Sequence, residues 1–174
     1  MRKTIPLVLI LAALAGCSGQ LPPETAPSFN VQDAAHGTIA AFDSDGNGSL
    51  DETEACAGMT QHWKRYDRNE DGVATQEEIE TRFRQWTEGN TGMMNMRVEV
   101  NWRKEPLSGA HVKLTPYEFL DGLLPAEGET DDYGFAFVAI PKALLPKSQK
   151  STFGMQVGLY RVSITHPTAL SLIH

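Results

Sequence analysis

A twelve-residue acidic pattern that occurs twice limits what this chain can fold into more than any other feature. Residues 43–54 read DSDGNGSLDETE, and residues 67–78, which start 24 positions later, read DRNEDGVATQEE. Both stretches place oxygen-bearing side chains at positions 1, 3, 5, 9 and 12 and a glycine at position 6. A hard divalent cation takes about six to eight oxygen ligands, and glycine permits the left-handed turn with which a loop surrounds it. The sequence therefore predicts two tandem cation-binding loops, named here loop 1 and loop 2.

Both loops resemble the calcium loop of the EF-hand family at all of its defining positions. The resemblance implies two bound Ca²⁺ ions. It also implies that the residue at position 7 offers its backbone carbonyl, and that the closing glutamate, already on the outgoing helix, supplies two oxygens. The implied ligands are Asp43, Asp45, Asn47, Ser49, Asp51 and Glu54 in loop 1, and Asp67, Asn69, Asp71, Val73, Thr75 and Glu78 in loop 2.

The two loops differ in charge and in one apolar position. Loop 1 offers four carboxylates and loop 2 offers three, so we predict tighter binding at loop 1. Position 8, which pairs neighbouring loops through a short β-bridge in the family, is Leu50 in loop 1 but the small Ala74 in loop 2. We therefore expect the pairing between the loops to be weak.

Only twelve residues, 55–66, separate the loops. They must end one helix–loop–helix unit and begin the next, either as one shared helix or as two short helices with a bend at Gly58. Cys56 lies in this segment, and we interpret it as a small buried residue on a helix, without chemistry or a disulfide partner. Residues expected to share one core are Ile39, Phe42, Met59, Trp63, Tyr66 and the helical face of Ile79, Phe83 and Trp86.

The N-terminus has the pattern of an export signal. Arg2 and Lys3 precede an apolar run that is too short to span a membrane, and Leu14-Ala15-Gly16-Cys17 resembles the lipobox of bacterial lipoproteins. The resemblance implies that residues 1–16 are removed and that Cys17 is acylated; an ordinary secretory signal is the alternative. Residues 17–30 then form a Pro-rich tether. Ser18 favours the outer membrane, so we expect a lipid-anchored protein of the bacterial cell envelope, facing the periplasm or the cell surface.

The charge is concentrated in the first half of the chain. Residues 17–94 carry 14 acidic and 5 basic side chains, whereas residues 95–174 carry 8 of each. Such an acidic surface repels the phosphate backbone, which argues against nucleic acid as a partner. It favours a divalent cation.

Residues 95–174 follow a strand pattern after a linker at 89–94. Polar and apolar residues alternate in 96–102 and in 111–115, where Val112 and Leu114 should point inward, while 134–140 is an apolar strand and 158–165 a fourth. Turns at 105–110 and at the acidic stretch 130–134 lie between these segments. The predicted fold class is therefore α+β, with a helical EF-hand pair at 31–88 followed by an antiparallel β-sandwich.

The segments VEVNWRKEPLSGAHVKLTP, GETDDYGFA and GLYRVSIT resemble the carboxypeptidase regulatory-like, or transthyretin-like (prealbumin-like), sandwich domains of exported bacterial proteins. The resemblance covers residues 95–166 and implies a non-catalytic module for contact with a protein or a carbohydrate. Such domains continue through further strands, so we expect this one to be incomplete at its C-terminus. His111 and His166 have no second ligand at metal spacing, and no nucleophile motif occurs, so we predict no enzyme.

Three functional hypotheses follow. The first is a lipid-anchored calcium-binding protein in which the ion stabilises the fold, since extracellular calcium near ~1 mM would keep such sites filled. The second is a regulator in which loss of the ion opens the helical pair and changes partner binding. The third is an accessory subunit of an exported hydrolase, in which the sandwich holds enzyme or substrate.

Overall fold

The computed structural model describes residues 27–89 and 93–167. The predicted signal peptide, Cys17 and most of the tether lie outside these ranges, as do part of the linker and the last seven residues. Within the described ranges, no helix has both the length and the apolar character needed to cross a membrane.

The chain has an α+β fold, as predicted, with antiparallel strands. Two short 3-10 turns, Trp63–Arg65 and Lys147–Gln149, accompany the main elements. The helices are α1 (Val31–Phe42), α2 (Ala57–Thr60) and α3 (Gln76–Glu88), and the strands are β1 (Leu50–Asp51), β2 (Val73–Ala74), β3 (Met96–Glu99), β4 (Asn101–Trp102), β5 (Glu105–Pro106), β6 (His111–Pro116), β7 (Ala126–Glu129), β8 (Phe135–Val138) and β9 (Tyr160–Thr165).

Helix α1 leads into loop 1. It begins after Asn30, whose side-chain oxygen accepts the backbone N–H groups of Gln32 at 3.0 Å and Asp33 at 3.1 Å. It ends at Phe42, the residue directly before loop 1. The small side chains of Ala34 and Ala35 are fully buried and allow α1 to pack closely against α3.

Helix α3 leads out of loop 2. Its first turn carries a capping box, in which Thr75 and Glu78 satisfy each other's backbone N–H groups. Its buried face consists of Ile79, Phe83 and Trp86, as the helical spacing predicts. The ring of Phe83 also meets Phe29, with the centroids 5.8 Å apart and the planes at 88°.

Two short helices, rather than one shared helix, connect the loops. Helix α2 is followed by the 3-10 turn, and the break falls at Gln61 and His62, not at the predicted bend at Gly58, which lies inside α2. Cys56 precedes α2 as its N-cap and is half-buried, so the expectation that it is buried on a helix is wrong. Twelve residues leave too little length for two full helices.

The described part of the second half contains three sheets, of which one is the two-stranded β4–β5 hairpin. In the other two, β3 pairs with β8, and β6 lies between β7 and β9, so β9 has a partner on one side only among the described strands. A β-bridge between Glu127 and Ala139 connects the β3–β8 sheet with the three-stranded sheet. The buried residues Val112 and Leu114 point inward from β6, as predicted.

The strand boundaries depart from the sequence pattern in several places. The predicted strand 96–102 is interrupted at Val100, after which β4 forms a tight hairpin with β5. Arg103 and Lys104 form its turn with left-handed φ angles of 53° and 72°. Strand β7 was not predicted, and the residues expected to form only a turn at 105–110 include β5.

Two apolar cores form, and the first draws on both halves of the chain. The core around α1 and α3 contains all the residues that were predicted to share one core, together with Leu120, Leu123 and Leu159 from the second half. The ring of Phe42 meets Tyr117 at 5.3 Å and Phe119 at 6.1 Å, both edge to face, and we name these three rings the aromatic seam. The second core lies among the strands.

Candidate metal centre

Asp43 organises the first part of loop 1. Its Oδ1 accepts hydrogen bonds from the backbone N–H groups of Gly46 at 2.7 Å and Asn47 at 3.2 Å. Its Oδ2 accepts the N–H of Gly48 at 2.8 Å. Gly48 has a φ of 84°, the left-handed conformation predicted for position 6. One carboxylate therefore shapes the turn of the loop.

Glu54 closes loop 1 from the other end. Its Oε1 accepts both the backbone N–H and the hydroxyl of Ser44 at 2.8 Å, and its Oε2 accepts the N–H of Asp51 at 3.2 Å. These hydrogen bonds hold the residue at position 12 of the loop against the residues at positions 2 and 9. Glu54 lies in a turn rather than on an outgoing helix, so that expectation is wrong for loop 1. The next helix begins only at Ala57, because the short connection allows little helix here.

Loop 2 repeats most of the same hydrogen-bond frame: positions 5 and 6 donate to the first residue, and positions 2, 3 and 9 donate to the last. Asp67 accepts the N–H of Asp71 at 3.2 Å and that of Gly72 at 3.0 Å. Glu78 accepts the N–H of Arg68 at 2.9 Å and that of Thr75 at 3.0 Å, which are the second and ninth positions again. Here the closing glutamate does lie on the outgoing helix, α3.

The loops pair through their eighth positions. Strands β1 and β2 are antiparallel, with Leu50 opposite Ala74 and Asp51 opposite Val73. Both Leu50 and Ala74 are fully buried in the first core. The small Ala74 therefore does not prevent the pairing, because Leu50 fills the space between the two loops.

Three carboxylates of loop 1 come together closely enough to share one ion. One oxygen from each of Asp43, Asp45 and Glu54 lies within 4.8 Å of the others. Two oxygens on opposite sides of a calcium ion lie up to about 5 Å apart, twice the Ca–O distance of ~2.4 Å. The donor set therefore fits calcium in both size and chemistry.

The other predicted ligands are placed less closely. The described residues contain no second triad of this kind, so the carboxylates of loop 2 do not gather within the same distance. In loop 1, Asn47 Oδ1 accepts the N–H and hydroxyl of Ser49. Asp51 Oδ1 accepts the N–H and hydroxyl of Thr53, at 2.7 and 2.6 Å. At position 7, Ser49 directly precedes β1 and Val73 is the first residue of β2.

Two residues outside the predicted ligand set support the predicted ligands. Ser44 donates its hydroxyl to Glu54, and Thr53 donates its hydroxyl to Asp51. The Thr53 bond is the local kind that a threonine close to an aspartate in a turn commonly makes, and that signal was present in the sequence. The Ser44 bond joins residues ten positions apart and had no local signal. These hydroxyls hold the carboxylates in place without any ion.

Hydrogen bonding lowers the pKa of four loop carboxylates and so favours their ionised form, which is the form that binds metal. Burial raises the pKa of Glu78, but the N–H groups of Thr75 and Arg68 outweigh it, so the net pKa is lowered. Lowered pKa values also occur at Asp43 because of the Gly48 N–H, at Asp51 because of the Thr53 hydroxyl, and at Glu54 because of the Ser44 hydroxyl.

Comparisons of the chain with protein-family models, with curated proteins and with solved structures found no match. A functional assignment therefore depends on the loops themselves: their repeated frame, their pairing and the triad of loop 1.

Proposed function

We propose that the protein binds calcium through two EF-hand loops, with six ligands from loop 1 and six from loop 2 as the sequence predicts. The observation that carries this proposal is that, in two loops of different sequence, the carboxylates at positions 1 and 12 accept backbone N–H groups from the same positions: 5 and 6 for the first, and 2, 3 and 9 for the last. A surface turn rich in Asp and Asn has no reason to reproduce the same acceptors at positions 1 and 12. A loop that surrounds an ion does.

Calcium has a structural role in this proposal. Each loop brings several like charges together, and without a cation their repulsion opposes folding. At a calcium concentration 100 times Kd, each site adds about 2.7 kcal/mol to the free energy of unfolding. The buried pair Leu50 and Ala74 then transmits this stabilisation from one loop to the other.

Calcium titration of the full-length chain by calorimetry tests the proposal. We expect two ions per chain. Glu54→Gln and Glu78→Gln should each weaken one site by about tenfold or more, since each removes a charged ligand. The matched controls are Glu52→Gln and Glu77→Gln, which change exposed acids in the same loops at positions the family does not use for coordination. Equal losses in the control variants would mean that general acidity, not the loop geometry, attracts the ion.

The envelope anchor and the strand half belong to the same proposal. We propose that Cys17 carries acyl chains that hold the protein on a membrane, and that residues 95–174 form part of a non-catalytic sandwich for contact with a protein or a carbohydrate. Antiparallel pairing of β3 with β8 and of β6 with β7 and β9 supports a β-sandwich module. Metabolic labelling with a fatty-acid analogue should label the wild type and not Cys17→Ala. Equal labelling of both would contradict the anchor.

The aromatic seam favours calcium-responsive regulation as a second candidate function. Phe42 directly precedes the ligand Asp43 and packs edge to face on Tyr117 and Phe119 of the strand half. A change in loop 1 would therefore reach the strand half directly through the ring of Phe42. The regulator hypothesis expects calcium to change the near-ultraviolet circular dichroism of the wild type and expects Phe42→Leu to reduce that change. A purely structural role expects calcium to raise the melting temperature without altering the folded spectrum.

A further inference from the structure

Most of the cations in the acidic half of the chain surround one depression. Residues 17–94 carry only 5 basic side chains against 14 acidic ones. Four of these five line a surface cavity of about 300 Å³ together with Gln85. The cations are Lys64, Arg65, Arg68 and Arg82, and we name this site the arginine depression.

The arginines of the depression lack acidic partners, unlike the cation outside it. Arg84, the fifth basic residue, lies 3.8 Å from Glu80 and 4.0 Å from Glu88 on its own helix. Lys64 approaches Glu70 at 3.8 Å, in a pair that is largely exposed. No carboxylate of the described residues lies within 4.0 Å of the three arginines in the depression.

Arg82 is held in place but left with spare hydrogen-bonding capacity. Its guanidinium lies 5.2 Å from the centroid of the Trp86 ring, and its Nη1 donates to Gln85 Oε1 at 3.0 Å. Its Nε is buried and has no hydrogen-bond partner among the described residues. A buried donor without an acceptor costs free energy, which an external acceptor would recover.

We propose that the arginine depression binds a phosphate group. Three guanidiniums present planar forks of N–H donors, which match the several oxygens and the double charge of a phosphate monoester. A carboxylate has one charge and two oxygens, and a single arginine already satisfies it in bidentate fashion. Bound phosphate also offsets the mutual repulsion of the four cations.

The surroundings restrict the ligand to a small one. The depression lies within an acidic half of the molecule, so a long polyanion would meet repulsion on every side beyond it. A cavity of about 300 Å³ is at the small end of ligand sites. A single phosphate, either on a soluble metabolite or on a lipid headgroup, fits these limits.

The test follows the side-chain Nε–H signals of arginine by NMR in the full-length chain, with calcium present. The soluble probe is glycerol 3-phosphate, and the reference is sodium chloride at the same ionic strength. We expect saturable shifts at Arg65, Arg68 and Arg82. We expect no shift at Arg84, which serves as an internal control because it is already paired.

Two variants compare the affinity for glycerol 3-phosphate when an arginine inside the depression and the control arginine outside it are changed. Arg65→Gln should weaken glycerol 3-phosphate binding about tenfold, the effect expected for the loss of one charge-assisted hydrogen bond. Arg84→Gln should leave the binding unchanged. Similar shifts at all arginines, or equal effects of the two variants, would overturn the proposal, because both indicate charge screening rather than a site.

Vesicles distinguish the two sources of phosphate. The lipids are phosphatidylcholine alone and phosphatidylcholine with a minority of phosphatidic acid, whose headgroup is a phosphate monoester. Binding to the second vesicle that Arg65→Gln weakens, without a response to glycerol 3-phosphate, assigns the site to a lipid headgroup. A response to glycerol 3-phosphate alone assigns it to a soluble compound. No response to either probe overturns the proposal and leaves the cations as counter-charges to the acids of loop 2.

Discussion

Loop 1 and loop 2 share one hydrogen-bond frame but differ in what holds it. Loop 1 has four carboxylates at the predicted ligand positions, a close triad and a glycine at position 4, yet it leads only into a turn and the four-residue α2. Loop 2 has three carboxylates at these positions but leads directly into the capped thirteen-residue α3. Its first predicted ligand, Asp67, is only 5% exposed. Loop 1 thus has the greater charge at its predicted ligand positions, and loop 2 has the more rigid helical support. The comparison allows the contributions of charge and of support to a proposed cation site to be tested separately.

Removal of calcium should have the largest effect. At a calcium concentration of about 100 times the Kd of both sites, the two ions together contribute about 5 kcal/mol to the free energy of unfolding. Their removal should therefore lower the melting temperature by roughly 10 °C or more. Melting curves with calcium and with a chelator measure this shift, and magnesium serves as the control ion. Identical curves would refute the structural role.

Leu50→Ala should break the contact that joins the loops. Leu50 is fully buried opposite Ala74, so the truncation should lower the free energy of unfolding by about 3 kcal/mol. It should also weaken calcium binding at both loops, since the pairing holds both. Leu144→Ala is the matched control, because Leu144 is 47% exposed. Denaturant unfolding and calorimetry measure the two effects, and a loss of affinity at loop 1 alone would mean that the loops act separately.

Exchange of one side chain at position 3 tests whether charge decides the order of affinity. Asp45→Asn reduces loop 1 to three carboxylates, and Asn69→Asp raises loop 2 to four. We expect each change to alter the affinity of its own loop by about tenfold, downward in loop 1 and upward in loop 2. In the double variant, loop 2 should bind calcium more tightly than loop 1. If loop 1 remains the tighter site, its geometry rather than its charge sets the order.

The smallest effect concerns the backbone at position 4. Both loops adopt a left-handed conformation there, with φ of 76° at Gly46 and 59° at Glu70. Only glycine adopts this conformation without cost, so Gly46→Ala should destabilise the protein by about 1 kcal/mol. Glu70→Gly should stabilise the protein by a few tenths of a kcal/mol. This gain is reduced because the exposed contact between Glu70 and Lys64 is lost. Denaturant midpoints measure both, and a stabilising Gly46→Ala would contradict the shared conformation.

Much of the helical half was predictable because its signals are local. The spacing of Ile79, Phe83 and Trp86 fixes one face of α3, and the end of α1 at Phe42 follows from the acidic residues that come next. The turns at Gly48 and Gly72 are dictated by residues that lie within each loop. Here sequence neighbours decide the structure.

The remainder depended on partners distant in sequence. Strand β7 reads AEGE, which has little intrinsic strand preference, and it forms because β6 pairs with it. The turn that holds Glu54 depends on how soon the second loop must begin. The contacts of Leu120 and Leu159 with the helical core have no local signal at all. Periodicity reports which face of an element is apolar but not what covers it.

The leucines that the second half contributes to the first core have a practical consequence. An expression fragment that stops at residue 89 would lack Leu120, Leu123 and Leu159. The apolar surface that these residues cover would then be exposed to solvent. Such a fragment would self-associate, and its measured calcium affinity would describe the aggregate. Crystallographers and immunologists who need the calcium loops in native form should therefore produce them together with the strands.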